Sequence, residues 1–136
     1  MNVSEVEIAW AAGFFDGEGY IGISRGYFVD KRWGPYHHMK ISASQRIRLP
    51  LDRLVAIFGG SVCKANTREL YLWTCTTRGA ARALEAMLPY LTVKRDQALV
   101  ALGFQRRRKP GGVAHADRTQ DEADIVELAR LKRIPG

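Results

Sequence analysis

One stretch near the N-terminus restricts what this chain can fold into more than any other: Ala11-Ala12-Gly13-Phe14-Phe15-Asp16-Gly17-Glu18-Gly19. An apolar, small-residue helix end runs straight into two carboxylates held between glycines. Ala12 and Gly13 permit close backbone approach. Small residues are cheap to bury, but acids at a buried helix end are costly unless a cation meets them. A divalent metal suits that position, because hard cations prefer carboxylate and carbonyl oxygen. Upstream, Ser4-Glu5-Val6-Glu7 reads as a capping box, with Ser4 bonding the amide of Glu7 and Glu7 reaching back to the amide of Ser4. The pattern predicts a helix from Glu5 to Phe15, stopped by Gly17 and Gly19. Ala9, Gly13 and Gly17 recur every four residues. Such a stripe suits tight helix–helix contact, between chains or within one. Ile8, Trp10 and Phe14 supply apolar surface beside it.

The rest of the chain alternates hairpins and helices. Tyr20 to Asp30 reads as a strand, Lys31-Arg32-Trp33-Gly34-Pro35 as a loop, and His37 to Gln45 as a second strand. In that second strand Met39, Ile41 and Ala43 share one face, and His38, Lys40, Ser42 and Ser44 the other. Pro50 opens a helix through Leu51, Leu54, Val55 and Phe58, which Gly59-Gly60 ends. Ser61 to Ala65 and Leu70 to Thr76 form a second hairpin around Asn66-Thr67-Arg68-Glu69. A helix follows from Thr77 or Arg78 to Pro89, and another from Lys94 to Arg106. Lys109-Pro110-Gly111-Gly112 breaks the chain before a last helix over Asp117 to Lys132. The expected fold class is α+β: an αββαββα core with a twisted antiparallel four-stranded sheet, plus C-terminal helices. Residues 1–110 form the core, and residues 111–136 form a linker and a helix packed on the same domain.

The 136 residues suit one domain with a real core, and 46% of them are hydrophobic. No apolar run is long enough to span a membrane. The N-terminus lacks a basic and apolar leader pattern, so an intracellular protein is expected. Two cysteines, Cys63 and Cys75, are too few for a disulfide framework or a zinc site, and both are expected as buried thiols. His37 and His38 have no metal-ligand partners at suitable spacing. No phosphate-binding loop, nucleophile elbow or nucleotide fingerprint occurs. The net charge is +7, and it is unevenly spread. Residues 46–110 hold 13 Lys and Arg against 4 Asp and Glu, whereas both flanking segments are slightly acidic. A polyanion partner accounts for that concentration, and a solvated basic face is the plainer alternative.

Residues 11–19 resemble, position by position, the LAGLIDADG motif of homing endonucleases. Ala11 stands for the first Leu, Ala12 and Gly13 match, and Phe14 and Phe15 replace the two apolar positions. Asp16 matches, Gly17 takes the small position, Glu18 replaces the second Asp, and Gly19 matches. The element order over residues 4–106 matches the family core as well. The resemblance implies a site-specific double-strand DNA endonuclease that hydrolyses phosphodiesters at a long, pseudo-palindromic site, with Mg²⁺ as cofactor and Mn²⁺ as a substitute. It implies staggered cuts with short 3′ overhangs and a role in intron homing. Single-motif members are homodimers. That places Ala9, Ala12, Gly13, Asp16 and Gly17 at the dimer interface and both Glu18 side chains near the axis.

Under the same resemblance, Glu18 and the Gly17 carbonyl hold the metal. Lys94 is the lysine that orders solvent and stabilises developing negative charge. Gln45 touches the attacking water or the metal shell. Asp16 is structural more than catalytic. Ser24, His38, Lys40, Ser42 and Ser44 lie on the polar face of the hairpins and suit double-stranded DNA. Arg25, Lys64, Arg68 and Tyr71 are further candidates for base contacts, and Lys31, Arg32 and Arg46 for phosphates. Trp33, Tyr36 and Trp73 are expected to pack rather than stack on bases. Arg106-Arg107-Arg108-Lys109 either grips DNA backbone or ends a helix in solvent. The rival readings are an RNA maturase that assists intron splicing, a non-cleaving DNA-binding protein of the same fold, and a generic basic interaction module.

Overall fold

Hydrophobic alternation in the strands and helical spacing between them build one sheet covered on one face by helices. The structure, a computed structural model, describes residues 3–27, 29–30, 32, 34–65, 69–108 and 118–133. The elements run α1 (Glu5–Glu18), β1 (Gly19–Tyr27), β2 (Pro35–Gln45), α2 (Leu49–Phe58), β3 (Ser61–Lys64), β4 (Tyr71–Thr76), α3 (Thr77–Met87), α4 (Arg95–Arg106) and α5 (Arg118–Lys132). A 3-10 turn over Leu88–Tyr90, carrying Pro89, separates α3 from α4. The sheet order is β1-β2-β4-β3, antiparallel throughout. The α+β architecture and the αββαββα order are those expected.

Register decides which side chains meet the helices. Ile23 pairs with Met39, Ile21 with Ile41, Ile41 in turn with Cys75, and Ala43 with Trp73. These rows are buried against Phe15, Leu51, Leu54, Leu84, Met87, Leu102 and Phe104. Burying each such large side chain contributes about 1.5–3 kcal/mol. The indole of Trp73 also donates to the Gly59 carbonyl at 2.9 Å, so its polar edge is satisfied inside the core. The opposite face carries Ser24 and His38, Gly22 and Lys40, and Tyr20, Ser42 and Thr74 in successive rows. Cys63 lies on this open face and is exposed, contrary to the expected burial, while Cys75 is buried on the other face. Both thiols are free.

The first helix differs from its expectation at both ends. Ser4 Oγ accepts from the Glu7 amide at 3.2 Å, and the Glu7 carboxylate accepts from the Ser4 hydroxyl rather than from the Ser4 amide. At the other end the helix passes through Phe15 and Gly17 and stops after Glu18. An internal glycine costs a helix about 1 kcal/mol. Here the contacts of Asp16 described below hold the last turn from outside. Gly19 is the true stop, and it is also sterically required: a Cβ there would stand 2.5 Å from the Phe15 carbonyl oxygen.

α5 packs on α4 and on the outer edge of the sheet at β1. Lys109 and the Pro110-Gly111-Gly112 break lie outside the described residues, as do Trp33 and Asn66-Thr67-Arg68. Among the described residues no helix is long and apolar enough to cross a membrane.

Candidate active site and nucleic-acid interface

The α1–β1 junction gathers the acids and lysines of the site. Asp16 Oδ2 accepts the Thr92 amide at 2.8 Å, and Oδ1 accepts the amides of Val93 and Lys94 at 3.1 and 3.0 Å. A carboxylate at the N-terminus of α4 satisfies donors that the helix itself cannot, and the helix dipole favours it there. Asp16 therefore fastens α1 to α4 within the chain. Both of its carboxylate oxygens are thereby taken up within the chain.

Lys94 closes the same junction from the other side. Its Nζ donates to the Asp16 carbonyl at 2.7 Å. That carbonyl belongs to the last turn of α1, which has no basic residue of its own to meet its negative end. Burial pulls the Lys94 ammonium below its ordinary pKa of 10.5, against the opposing pull of Asp16 and Glu18. Glu18 is exposed and makes no hydrogen bond or ion pair among the described residues. One acid of the motif is thus consumed by structure, and the other is free. Gln45 ends β2 on the helix-facing side of the sheet, and its Oε1 accepts the adjacent Arg46 amide at 2.8 Å.

A second lysine at this junction was not singled out in the sequence. Lys132, in the last turn of α5, donates to the Ile21 carbonyl at 2.5 Å and lies 3.9 Å from the centre of the Tyr20 ring. Burial, and then repulsion from Lys94, lower its pKa below 10.5. No local signal marks Lys132, because nothing in residues 118–133 fixes which strand edge the helix will meet.

The open face of the sheet carries Ser24, His38, Lys40 and Ser44 as expected. Ser42 points the same way but is only 7% exposed, hemmed in along the row of Tyr20 and Thr74. The Tyr20 ring leans over Gly22 and the Tyr36 ring over Gly26, at distances no Cβ would allow. Arg25 is a correction: register turns it to the helix side, where it forms a forked ion pair with Glu122. Lys64 and Tyr71 share the face of Val62 and Trp73, again opposite the polar rows. Tyr71 lies under the Arg48 guanidinium, 5.7 Å away. Arg46 is exposed beyond β2, and Arg32 is exposed but paired with Asp30 at 2.7 Å. Lys31 and Arg68 lie outside the described residues.

The basic run before the break is a structural clamp in part. Arg107 pairs with Asp121 and Asp124, and Arg108 with Asp121 at 2.5 Å. Arg106 stays exposed. Along α1, Gly13 and Gly17 are exposed with no heavy atom within 4 Å of a would-be Cβ, and Ala9 is half-buried. Ala12 is fully buried in the core, so it presents nothing to a partner and is removed from the interface set.

No protein-family model matches this chain, and no curated protein matches it. Solved structures do. The homing endonuclease I-CvuI, in complex with the I-CreI target in 2 mM Mg with the DNA not cleaved, superposes with a TM-score of 0.81 at 22% identity, covering 96% of this chain and 85% of that one. The archaeal intron-encoded homing endonuclease I-Vdi141I, complexed with DNA, gives 0.80 at 16% identity, covering 97% and 87%. I-CvuI with its own target in 2 mM Ca gives 0.70 at 25% identity, covering 93% and 78%. The chain has the fold of the LAGLIDADG homing endonucleases, a DNA-endonuclease fold.

Proposed function

We propose that this chain is a site-specific, double-strand DNA endonuclease that works as a homodimer on a long pseudo-palindromic site. The observation that carries the reading is Glu18: an exposed, unpaired carboxylate at a helix end, beside a partly buried Lys94 and next to a polar sheet face. Partly desolvated charge without a structural partner marks functional sites. Ser24, His38, Lys40 and Ser44 form the base-reading surface, with Arg46 on the backbone.

The donor set fits magnesium as half of a site. Glu18 and the Gly17 carbonyl are hard oxygen donors, which Mg²⁺ prefers. No cluster of three or more His, Cys, Asp or Glu able to hold a metal occurs among the described residues, so DNA phosphates and a second chain must complete it. An ion held there by Glu18 and the Gly17 carbonyl would supply Lewis-acid chemistry for phosphodiester hydrolysis. Lys94 stabilises negative charge developing on the phosphate, and Gln45 orients solvent. The stripe of half-buried Ala9 and exposed Gly13 and Gly17 supports pairing of two α1 helices. I-SmaMI, a LAGLIDADG homing endonuclease bound to cleaved DNA, supports this too: the present chain covers only 42% of it, leaving that chain room for a second such unit.

Cleavage-site selection from a random DNA pool with Mg²⁺ tests the reading. Sequence-specific linear products are expected, and Glu18→Gln abolishes them while binding persists. Binding of intron RNA without DNA cleavage would replace the nuclease with a maturase. Gly13→Leu is expected to give monomers in sedimentation, since overpacking typically costs about 1–3 kcal/mol and here occurs twice. An unchanged dimer would move the interface elsewhere.

A further inference from the structure

The two halves of the open sheet face offer a base pair different chemistry. An antiparallel sheet with one solvated face keeps polar side chains there. β1 and β2 follow that rule with Ser24, His38, Lys40 and Ser44. β4 departs from it at Leu72. Register puts Leu72 in one row with Ser44 on β2 and Cys63 on β3. Its strand neighbours Tyr71 and Trp73 turn the other way and pack on the core, as does Val62, whereas Leu72 stands outside that core. Cys63 beside it is exposed. A free thiol behaves as a small apolar group. The rest of this half is Ser61, Thr74 and Thr76.

This inventory limits what β3 and β4 can recognise. In the major groove, guanine is read by Arg or Lys, adenine by Asn or Gln, and cytosine by Asp or Glu. None of these side chains stands on the open face of β3 or β4 among the described residues. Lys64 pairs with Tyr71 and shares its helix-side face. Hydroxyls of Ser and Thr donate or accept and so discriminate little. Thymine alone among the bases presents a methyl group in the major groove, and apolar side chains are what meet it.

We propose that Leu72, with Cys63 beside it, is a specificity-determining contact that reads the 5-methyl group of thymine. Each half-site then carries thymine where β3 and β4 lie. The assignment rests on the reading of the open face as the duplex-binding surface. It divides the labour of that face: β2 reads hydrogen-bonding edges through His38 and Lys40, and β4 reads a methyl group.

The test binds a random duplex pool to the full chain in Ca²⁺, and the retained sequences are determined. Deoxyuridine then replaces each thymine of a retained duplex in turn, which removes only the methyl. At a thymine in each half-site the wild type should bind about fourfold more weakly, the worth of one buried methyl. Leu72→Ala should be indifferent to the same exchange, and Leu72→Met, which keeps an apolar contact, should stay sensitive. The retained duplex should also shield the Cys63 thiol from a maleimide, with buried Cys75 as the internal control.

A wild type indifferent to deoxyuridine everywhere overturns the assignment, as does a sensitivity that Leu72→Ala leaves intact. Equal Cys63 labelling with and without duplex overturns the placement of β3 and β4 under DNA. Deoxyuridine sensitivity in a chain that never cuts DNA in Mg²⁺ sinks the nuclease reading and leaves the methyl contact standing. Site-specific cutting that is blind to deoxyuridine does the reverse. A pool from which no sequence is retained overturns both.

Discussion

The two ends of β1 treat charge in opposite ways. At its far end, Arg25, Glu122, His37, Asp121, Asp124, Arg107 and Arg108 form a continuous network. His37 and Asp121 are almost wholly buried there, and each cation faces an acid. At its near end, Lys94 and Lys132 rest on carbonyls and Glu18 stands alone. Both ends tie helices to the same strand. Only at the first is each charge held in a direct ion pair. A paired network of this kind orients α5, whereas charge left without a partner is available to a ligand.

The contrast can be broken from the paired end first. Asp121→Asn leaves Arg108 facing a neutral amide and Arg107 with Asp124 alone, and breaking a buried pair typically costs about 3–5 kcal/mol. Chemical denaturation should show a loss of that order; a loss within error would mean the network does not hold α5. Next comes Asp16→Ala. Losing a helix-start carboxylate costs about 0.5–2 kcal/mol, and the loss should appear in the same measurement. Cleavage should weaken too, because Lys94 loses its register.

A smaller effect follows from Glu122. The Arg25 guanidinium, then His37, hold its carboxyl at about 2, below the usual 4.5. A folded pKa depressed in this way contributes stability that is complete above pH 4.5 and fades as pH falls toward 2. The side chain is 43% exposed, so solvent screens the pair and the contribution is modest. Melting temperatures over that window should drop less in Glu122→Gln than in the wild type. The smallest effect is predicted at the unpaired end. Glu18→Gln should change stability by no more than about 0.5 kcal/mol, as for a surface substitution, while abolishing cutting. A large destabilisation would make Glu18 a structural acid.

Much of this was legible in residue order. The strand alternation over Met39, Ile41 and Ala43 assigned the faces correctly, since side chains in a strand alternate strictly. Arg25 was misread because the same alternation, counted from Ile21 and Ile23, sends it to the helix side. Its partner Glu122 lies 97 residues away. Ala12 was assigned to the interface through the motif resemblance, and a motif does not say which of its small residues the core will take.

Local chemistry by itself determined the capped first helix, the two hairpins, the acidic turn and the lysine at the start of α4, because caps, alternation and turn residues act between near neighbours. Which acid would be consumed and which left free was settled only in three dimensions. So was the arrival of Lys132 beside Lys94. Those outcomes depend on how α4 and α5 dock against β1, and docking is decided by long-range burial that no short stretch of residues encodes.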